Sequence, residues 1–384
     1  MIYNYSRHFV DKADLIEVTK SLKGELITGG SYLKKFEKSI SRKVHSKYTI
    51  AVNNGTSALI LSIKALELKK KSRVIVPNIT FSATASSVLH NDFQIYLCDI
   101  DYHTGQISTL SLNKLINSYP KNFFSLLINV DMRGVPLNYQ EIFSICNKNK
   151  IKIIVDGCHS FGSSYKSRNR YCYVGENKHS ELTTFSFHAV KNITAGEGGA
   201  ITTKSYKIYK KLLTLRNQGI IRKNYQEYDI RTLTSNYRIS EINCALGYSQ
   251  LKKLNKFKLQ KLKIINYYNL NFENFYPLIK TFENTSLKNV NYHLYCILVD
   301  FKKLKITKEN FLRKMLKSKI LIQVHYKPIS ELTIYKNNAK FEKKNLKNSY
   351  KYSHDIVSLP LYYTLKKIDI SYICKTILNI LNIR

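Results

Sequence analysis

Lys191 carries the strongest chemical signal in the chain. It sits in FSFHAVKNITAGEGGAITT (185–203), between an apolar run and a glycine-rich turn. A lysine amine held among apolar neighbours sheds its proton easily and can condense with an aldehyde. Upstream, a strand-like run, IKIIVDGCHS (151–160), ends in Asp156, with His159 close behind. An aspartate at a strand's carboxyl end can hold a protonated ring nitrogen. Lysine and aspartate together point to pyridoxal phosphate chemistry.

Three further segments offer parts of the same site. After YTIAV (48–52) comes NNGTSALILSIKAL (53–66). Gly55 allows a tight turn, and Thr56 or Ser57 can cap the helix that follows. A helix N-terminus with small hydroxyl side chains suits a phosphate, although an ordinary capped strand–turn–helix looks the same. Phe81, in NITFSATASSVL (78–89), has the shape to stack on a flat ring or to join a core. Ser186 precedes Lys191 and adds a hydroxyl. Gly196, Gly198 and Gly199 bring backbone close beneath it. Each part alone reads as ordinary structure; their joint occurrence in this order is the signal.

The elements that would position these residues follow from alternation. Strand candidates are YTIAV (48–52), RVIVP (73–77), FQIYLCDI (93–100), FSLLINV (124–130), KIIVD (152–156), TTFSF (183–187) and GAITT (199–203). Helical segments fall between most of them. This predicts an α/β fold with a mostly parallel central sheet and helices on both faces. In such sheets ligands bind outside the carboxyl ends of the strands, where the candidate residues lie. EINCALGYSQLKKLNKFKLQKLKIINYY (241–268) reads as one long helix. Beyond it, strands at YHLYCILVD (292–300) and LIQVHY (321–326) mix with helices. The expectation is a large cofactor-binding domain with the N-terminal segment (1–255) and a smaller C-terminal α+β domain (256–384).

Bulk composition narrows the class. The chain has 384 residues and is 44% hydrophobic, enough for a packed core. It contains no apolar run long enough to span a bilayer and no signal-peptide layout at its start, so the expectation is a cytoplasmic protein without a membrane partner. Seven dispersed cysteines without ligand spacing read as free thiols, and no metal site is expected. The net charge of +36 raises a nucleic-acid hypothesis. The lysines, however, are spread along helical surfaces such as KKLNKFKLQKLK (252–263) and form no single arm. Compositional drift toward Lys, Asn, Ile and Tyr accounts for the charge, so no nucleic-acid partner is expected.

These segments resemble the DegT/DnrJ/EryC1 family of sugar aminotransferases, which are fold-type I pyridoxal-phosphate enzymes. The resemblance runs from LITGG (26–30) and FEKSIS (36–41) through NNGTSAL (53–59), IVDGCHSFGS (154–163) and SFHAVKNITAGEGGA (186–200). It continues in LRNQGI (215–220), NYRISEINCALGYSQLKKL (236–254), VHYKPI (324–329) and SLPLYY (358–363). It implies that Lys191 carries pyridoxal 5′-phosphate and shuttles protons, that Asp156 pairs with the ring nitrogen, and that His159 touches the ring's phenolic oxygen. It further implies that Phe81 stacks on the ring and that Thr56, Ser57 and Ser186 bind the phosphate. Asn236 matches a residue that reaches the neighbouring subunit's cofactor, which implies a homodimer with shared sites. Arg238 and Tyr326 are implied substrate contacts.

The implied reaction moves an amino group from glutamate to the 4-keto carbon of a nucleotide-linked 6-deoxy sugar. FHAVKNIT and QVHYKPI are most similar to members that aminate UDP-linked keto-sugars for pseudaminic acid. Ala195, Asn138 and Gln218 depart from the common pattern without removing a catalytic group. The competing expectations are a pyridoxal-dependent sugar dehydratase, against which Lys191 argues, and a basic nucleic-acid binder.

Overall fold

Alternate residues of each central strand feed two different cores, because helices cover both faces of one sheet. A computed structural model describes residues 2–224, 226–282 and 288–383. The main sheet is built from β1 (Tyr48–Val52), β2 (Arg73–Pro77), β3 (Gln94–Cys98), β4 (Leu126–Val130), β5 (Lys152–Asp156), β6 (Leu182–Ser186) and β7 (Gly199–Thr203). Its order is β1-β7-β6-β5-β4-β2-β3, with a short edge strand at Ala339–Lys340 beside β3. Only β7 runs antiparallel to its neighbours. Ile153, Val155, Leu127 and Ile75 enter one core with helices Ser31–Val44 and Tyr139–Lys148. Ile154, Leu126, Ile128, Val74 and Val76 enter the other with helices Gly55–Ala65 and Tyr206–Arg216. The expected α/β architecture is therefore present, and β1, β2, β5 and β7 have the expected ends.

A third core gathers Leu262, Ile265, Tyr268, Ile297, Phe311, Val357 and Ile373 around an antiparallel sheet of Ile279–Thr281, Tyr295–Val299 and Ile356–Leu359. The chain past residue 256 also returns to the large sheet: Ile329, Tyr335 and Leu346 pack into its second core. None of the helices among the described residues is long and apolar enough to cross a membrane.

Two expectations need correction. The long helix over 241–268 is two helices, Glu241–Lys252 and Leu254–Phe272. They meet at Lys253 (φ −97°, ψ −2°), whose amine is drawn to Asp11 and Asp14 of the N-terminal segment. LIQVHY forms no strand; it makes one bridge, Gln323 to Ser358. Its histidine and tyrosine are instead committed to Ser358 and His159, so side-chain contacts outweigh ladder pairing.

Glu241 joins the two ends of this scaffold. Helix Ser31–Val44 starts after Gly30, which has no side chain to cap it. The Glu241 carboxylate, 1% exposed, accepts from the N–H groups of Tyr32 (2.6 Å) and Leu33 (2.9 Å). A Cβ at position 30 would stand 2.9 Å from that carboxylate, which explains the glycine. Replacing Glu241 by Ala strands two buried donors. We expect a loss of roughly 2–3 kcal/mol, read as a lower urea midpoint at unchanged slope.

Candidate active site

The ends of β1, β2, β4, β5 and β6 converge with the Lys191 loop on a cavity of about 570 Å³. It is lined, among others, by Thr56, Ser57, Phe81, Asp156, His159, Ser186, Lys191 and Tyr326. Eight of the ten residues singled out from the sequence thus share one space. Asn236 and Arg238 do not: both are exposed and outside that lining. The Asn236 side chain accepts from the N–H of Arg238 (3.1 Å), and Arg238 donates to the Asn217 side chain.

The phosphate-like cradle forms where β1 turns into helix Gly55–Ala65. The cap is Asn54, not Thr56 or Ser57 as the sequence suggested: its side chain accepts from the N–H of Ser57 at 2.8 Å. Asn54 has the extended backbone a cap needs (φ −164°), which places Thr56 and Ser57 in the first turn. That turn presses against β7. A Cβ at Gly199 would lie 2.4 Å from the Asn54 carbonyl, and one at Gly55 would lie 2.8 Å from Ser186 Cβ. Glycine at both positions lets the hydroxyls of Thr56, Ser57 and Ser186 meet at the helix start.

Asp156 ends β5 at the cavity floor. Its carboxylate accepts from Thr84 Oγ1 (2.7 Å) and from the Cys158 N–H (3.2 Å), so its direction is held from two sides. Thr84 in turn is bonded to Thr80 (2.8 Å). Sequence reasoning passed over Thr84, Cys158, Tyr5, His293 and His325. The last three come from segments far away in the chain, whereas Thr84 and Cys158 each lie within three residues of a residue already singled out.

Lys191 lies in a loop closed by hydrogen bonds from Phe187 N to Gly198 O and from Ala195 N to Phe187 O, each 2.8 Å. Burial lowers its amine pKa from the usual lysine value, against the opposing pull of Cys158 and Asp156. The His159 and His293 rings lie 4.4 Å apart between centroids, tilted by 45°. Burial first, and the Lys191 charge second, hold both imidazoles well below the normal histidine range. His159 Nε2 faces the Tyr326 hydroxyl at 3.1 Å. Its Nδ1 is buried without a partner, a polar atom left for a ligand. Phe81 stays 58% exposed at the mouth, with its ring 6.0 Å from that of Tyr326.

A flat, phosphate-bearing aldehyde fits this arrangement. The glycine-lined turn leaves room for an anion, the unpaired His159 nitrogen needs a partner, and an amine with a lowered pKa lines the same cavity as an oriented carboxylate. The chemistry on offer is proton transfer at a carbon beside a nitrogen.

Comparison with known proteins agrees with this geometry. Residues 9–378 match the DegT/DnrJ/EryC1/StrS aminotransferase family. The chain is 33% identical to a UDP-4-amino-4,6-dideoxy-N-acetyl-beta-L-altrosamine transaminase of Campylobacter jejuni, covering 98% of this chain and 97% of that one. It superposes with a TM-score of 0.90 on Helicobacter pylori PseC, an aminotransferase involved in the biosynthesis of pseudoaminic acid, at 28% identity with full coverage of both chains. A sugar aminotransferase from Streptococcus pneumoniae, solved in a PLP form, gives 0.89 at 26% identity, covering 100% of this chain and 99% of that one.

The buried imidazoles set the acid limit of stability. Burial and the Lys191 charge push His325 down to about 4. A histidine whose folded pKa is depressed binds fewer protons than in the unfolded chain, so folding weakens as pH falls below about 6.5. We expect the unfolding temperature to drop between pH 6.5 and 4, and to drop less steeply in His325→Gln.

Proposed function

The chain belongs to the DegT/DnrJ/EryC1/StrS aminotransferase family, and we propose that it uses pyridoxal 5′-phosphate to carry an amino group from glutamate to the 4-keto carbon of a UDP-linked 6-deoxy-N-acetylhexosamine. The product would serve the assembly of a surface glycan of the pseudaminic acid type. The observation that carries the reading is the single cavity shared by the Lys191 amine, the Asp156 carboxylate and the hydroxyls at the start of helix Gly55–Ala65. Near full-length similarity to the Campylobacter jejuni transaminase supports the choice of substrate class.

In this reading Thr56, Ser57 and Ser186 hold the phosphate, Phe81 covers the ring face, and Asp156 faces the ring nitrogen. The cofactor, when bound, supplies an electron-accepting ring that stabilises negative charge at the carbon beside the migrating nitrogen. Lys191 takes a proton from the glutamate Cα and later delivers one to sugar C4. Burial lowers its pKa from the usual lysine value, which makes the amine a better proton acceptor at a given pH than an exposed lysine is. His159, kept uncharged, offers a hydrogen bond from Nδ1 without adding positive charge to the site. Tyr326 steadies His159 and stands at the substrate end of the cavity.

Asn236 and Arg238 find their place in a homodimer. Both are exposed and lie outside the lining of this chain's own cavity, which leaves them free to serve a partner's site. Two subunits would then share each site.

Purified protein given glutamate and a UDP-4-keto-6-deoxy-N-acetylhexosamine should release 2-oxoglutarate and amino sugar in equal amounts. Lys191→Ala should lose roughly 1000-fold or more of this rate. Absence of 2-oxoglutarate with UDP-, GDP- and dTDP-linked keto-sugars alike would count against the reading. Sharing of sites has its own check. Lys191→Ala and Asn236→Ala proteins, inactive apart, should regain about a quarter of normal activity after subunit exchange. No recovery would mean that each subunit builds its site alone.

A further inference from the structure

A second lysine lies behind the first. Lys261, on helix Leu254–Phe272, is only 7% exposed, a burial rare for lysine without an acidic partner. Its amine donates to Asn192 Oδ1 at 2.7 Å and to the Tyr292 carbonyl at 2.6 Å, both neutral oxygens. Asn192 follows Lys191 directly and is itself 6% exposed. Its Nδ2 is within hydrogen-bond distance of the carbonyls of His159 (3.0 Å), Phe161 (3.2 Å) and Asn291 (3.1 Å). One amide therefore touches the backbone of a residue facing the cofactor site while belonging to the Lys191 loop.

Leaving an amine in such a place costs free energy that an apolar residue would not incur. What the lysine holds accounts for its presence. Lys191, Asn192, Lys261 and His293 line one narrow cleft of about 40 Å³. Burial, aided by Lys258 on the same helix, brings Lys261 down to about 7. An uncharged amine still has two hydrogens for the two acceptors, so the contact survives loss of the proton.

We propose that Lys261 is a positioning residue. Through Asn192 it ties the Lys191 loop and the His159 turn to helix Leu254–Phe272, keeping the Lys191 amine in the water-poor end of its cavity. The proposal rests on Lys191 being the reactive amine, not on the identity of the sugar. The groups that face Lys191 electrostatically are Asp156, Cys158, His159, His293 and His325. Those that face Lys261 are Lys258 and His293.

Competitive acetylation of cofactor-free protein, read peptide by peptide by mass spectrometry, gives the pH at which Lys191 becomes half-reactive. Lys261→Met should raise that midpoint by about one unit as water reaches the amine. Asn192→Ala should raise it by a similar amount, and the double variant should go no further, because the two act through one contact. Lys261→Gln, which keeps an amide donor, serves if the methionine variant does not fold; its shift should be smaller and should also vanish in the Asn192→Ala background. In turnover, kcat should fall roughly tenfold with the KM for glutamate little changed. An unshifted Lys191 midpoint in the lysine variants, or shifts that add in the double variant, would overturn the proposal. A protein that shows these shifts but no transamination would instead refute the functional reading alone.

Discussion

The structure depends on removing water from one amine while a carboxylate faces it. A lysine amine can act as a nucleophile only without its proton, and burial is what lowers the pKa of Lys191. A lysine desolvated in isolation would be a liability. Here the same enclosure brings Asp156, three hydroxyls and an unpaired imidazole nitrogen around a single cavity. The cost of enclosing the amine is offset by the hydrophobic cores of the fold.

The sheet produces this convergence by topology. The strand ends that carry Asp156 and the turn at Asn54 lie on the same edge because β1 and β5 run parallel. The one antiparallel strand, β7, brings Gly199 back against the first turn of helix Gly55–Ala65, where no side chain could fit. Histidines from later in the chain also line the cavity: His293 packs at a tilt against His159, and His325 is pinned to Ser358. Phe81 is left at the mouth, open on its exposed side to whatever ring enters.

Much of this was legible in the sequence because local patterns carried it. The runs YTIAV, RVIVP, KIIVD and GAITT are apolar, short and bounded by polar or glycine-rich turns, and they became strands with those ends. Residues near those ends could be named for the same reason. Legibility failed where a distant partner decided the outcome. The helix over 241–268 breaks at Lys253, whose amine is pulled toward two aspartates near the N-terminus. LIQVHY has the composition of a strand, yet its side chains are engaged elsewhere. Asn54 was overlooked as a cap because the hydroxyl residues beside it suit that role equally well on composition. The carboxylate's support by Thr84 is a side-chain bond between segments 72 residues apart, which no local pattern reveals.

The central claim is that one particular lysine, among the many on this basic chain, forms the covalent link to the cofactor. Borohydride reduction of the pyridoxal-phosphate-loaded protein, followed by peptide mass mapping, tests it most directly. The account predicts loss of the visible absorbance and a pyridoxyl mass on the peptide containing Lys191 alone. A modified peptide from another part of the chain, or none at all, would contradict it.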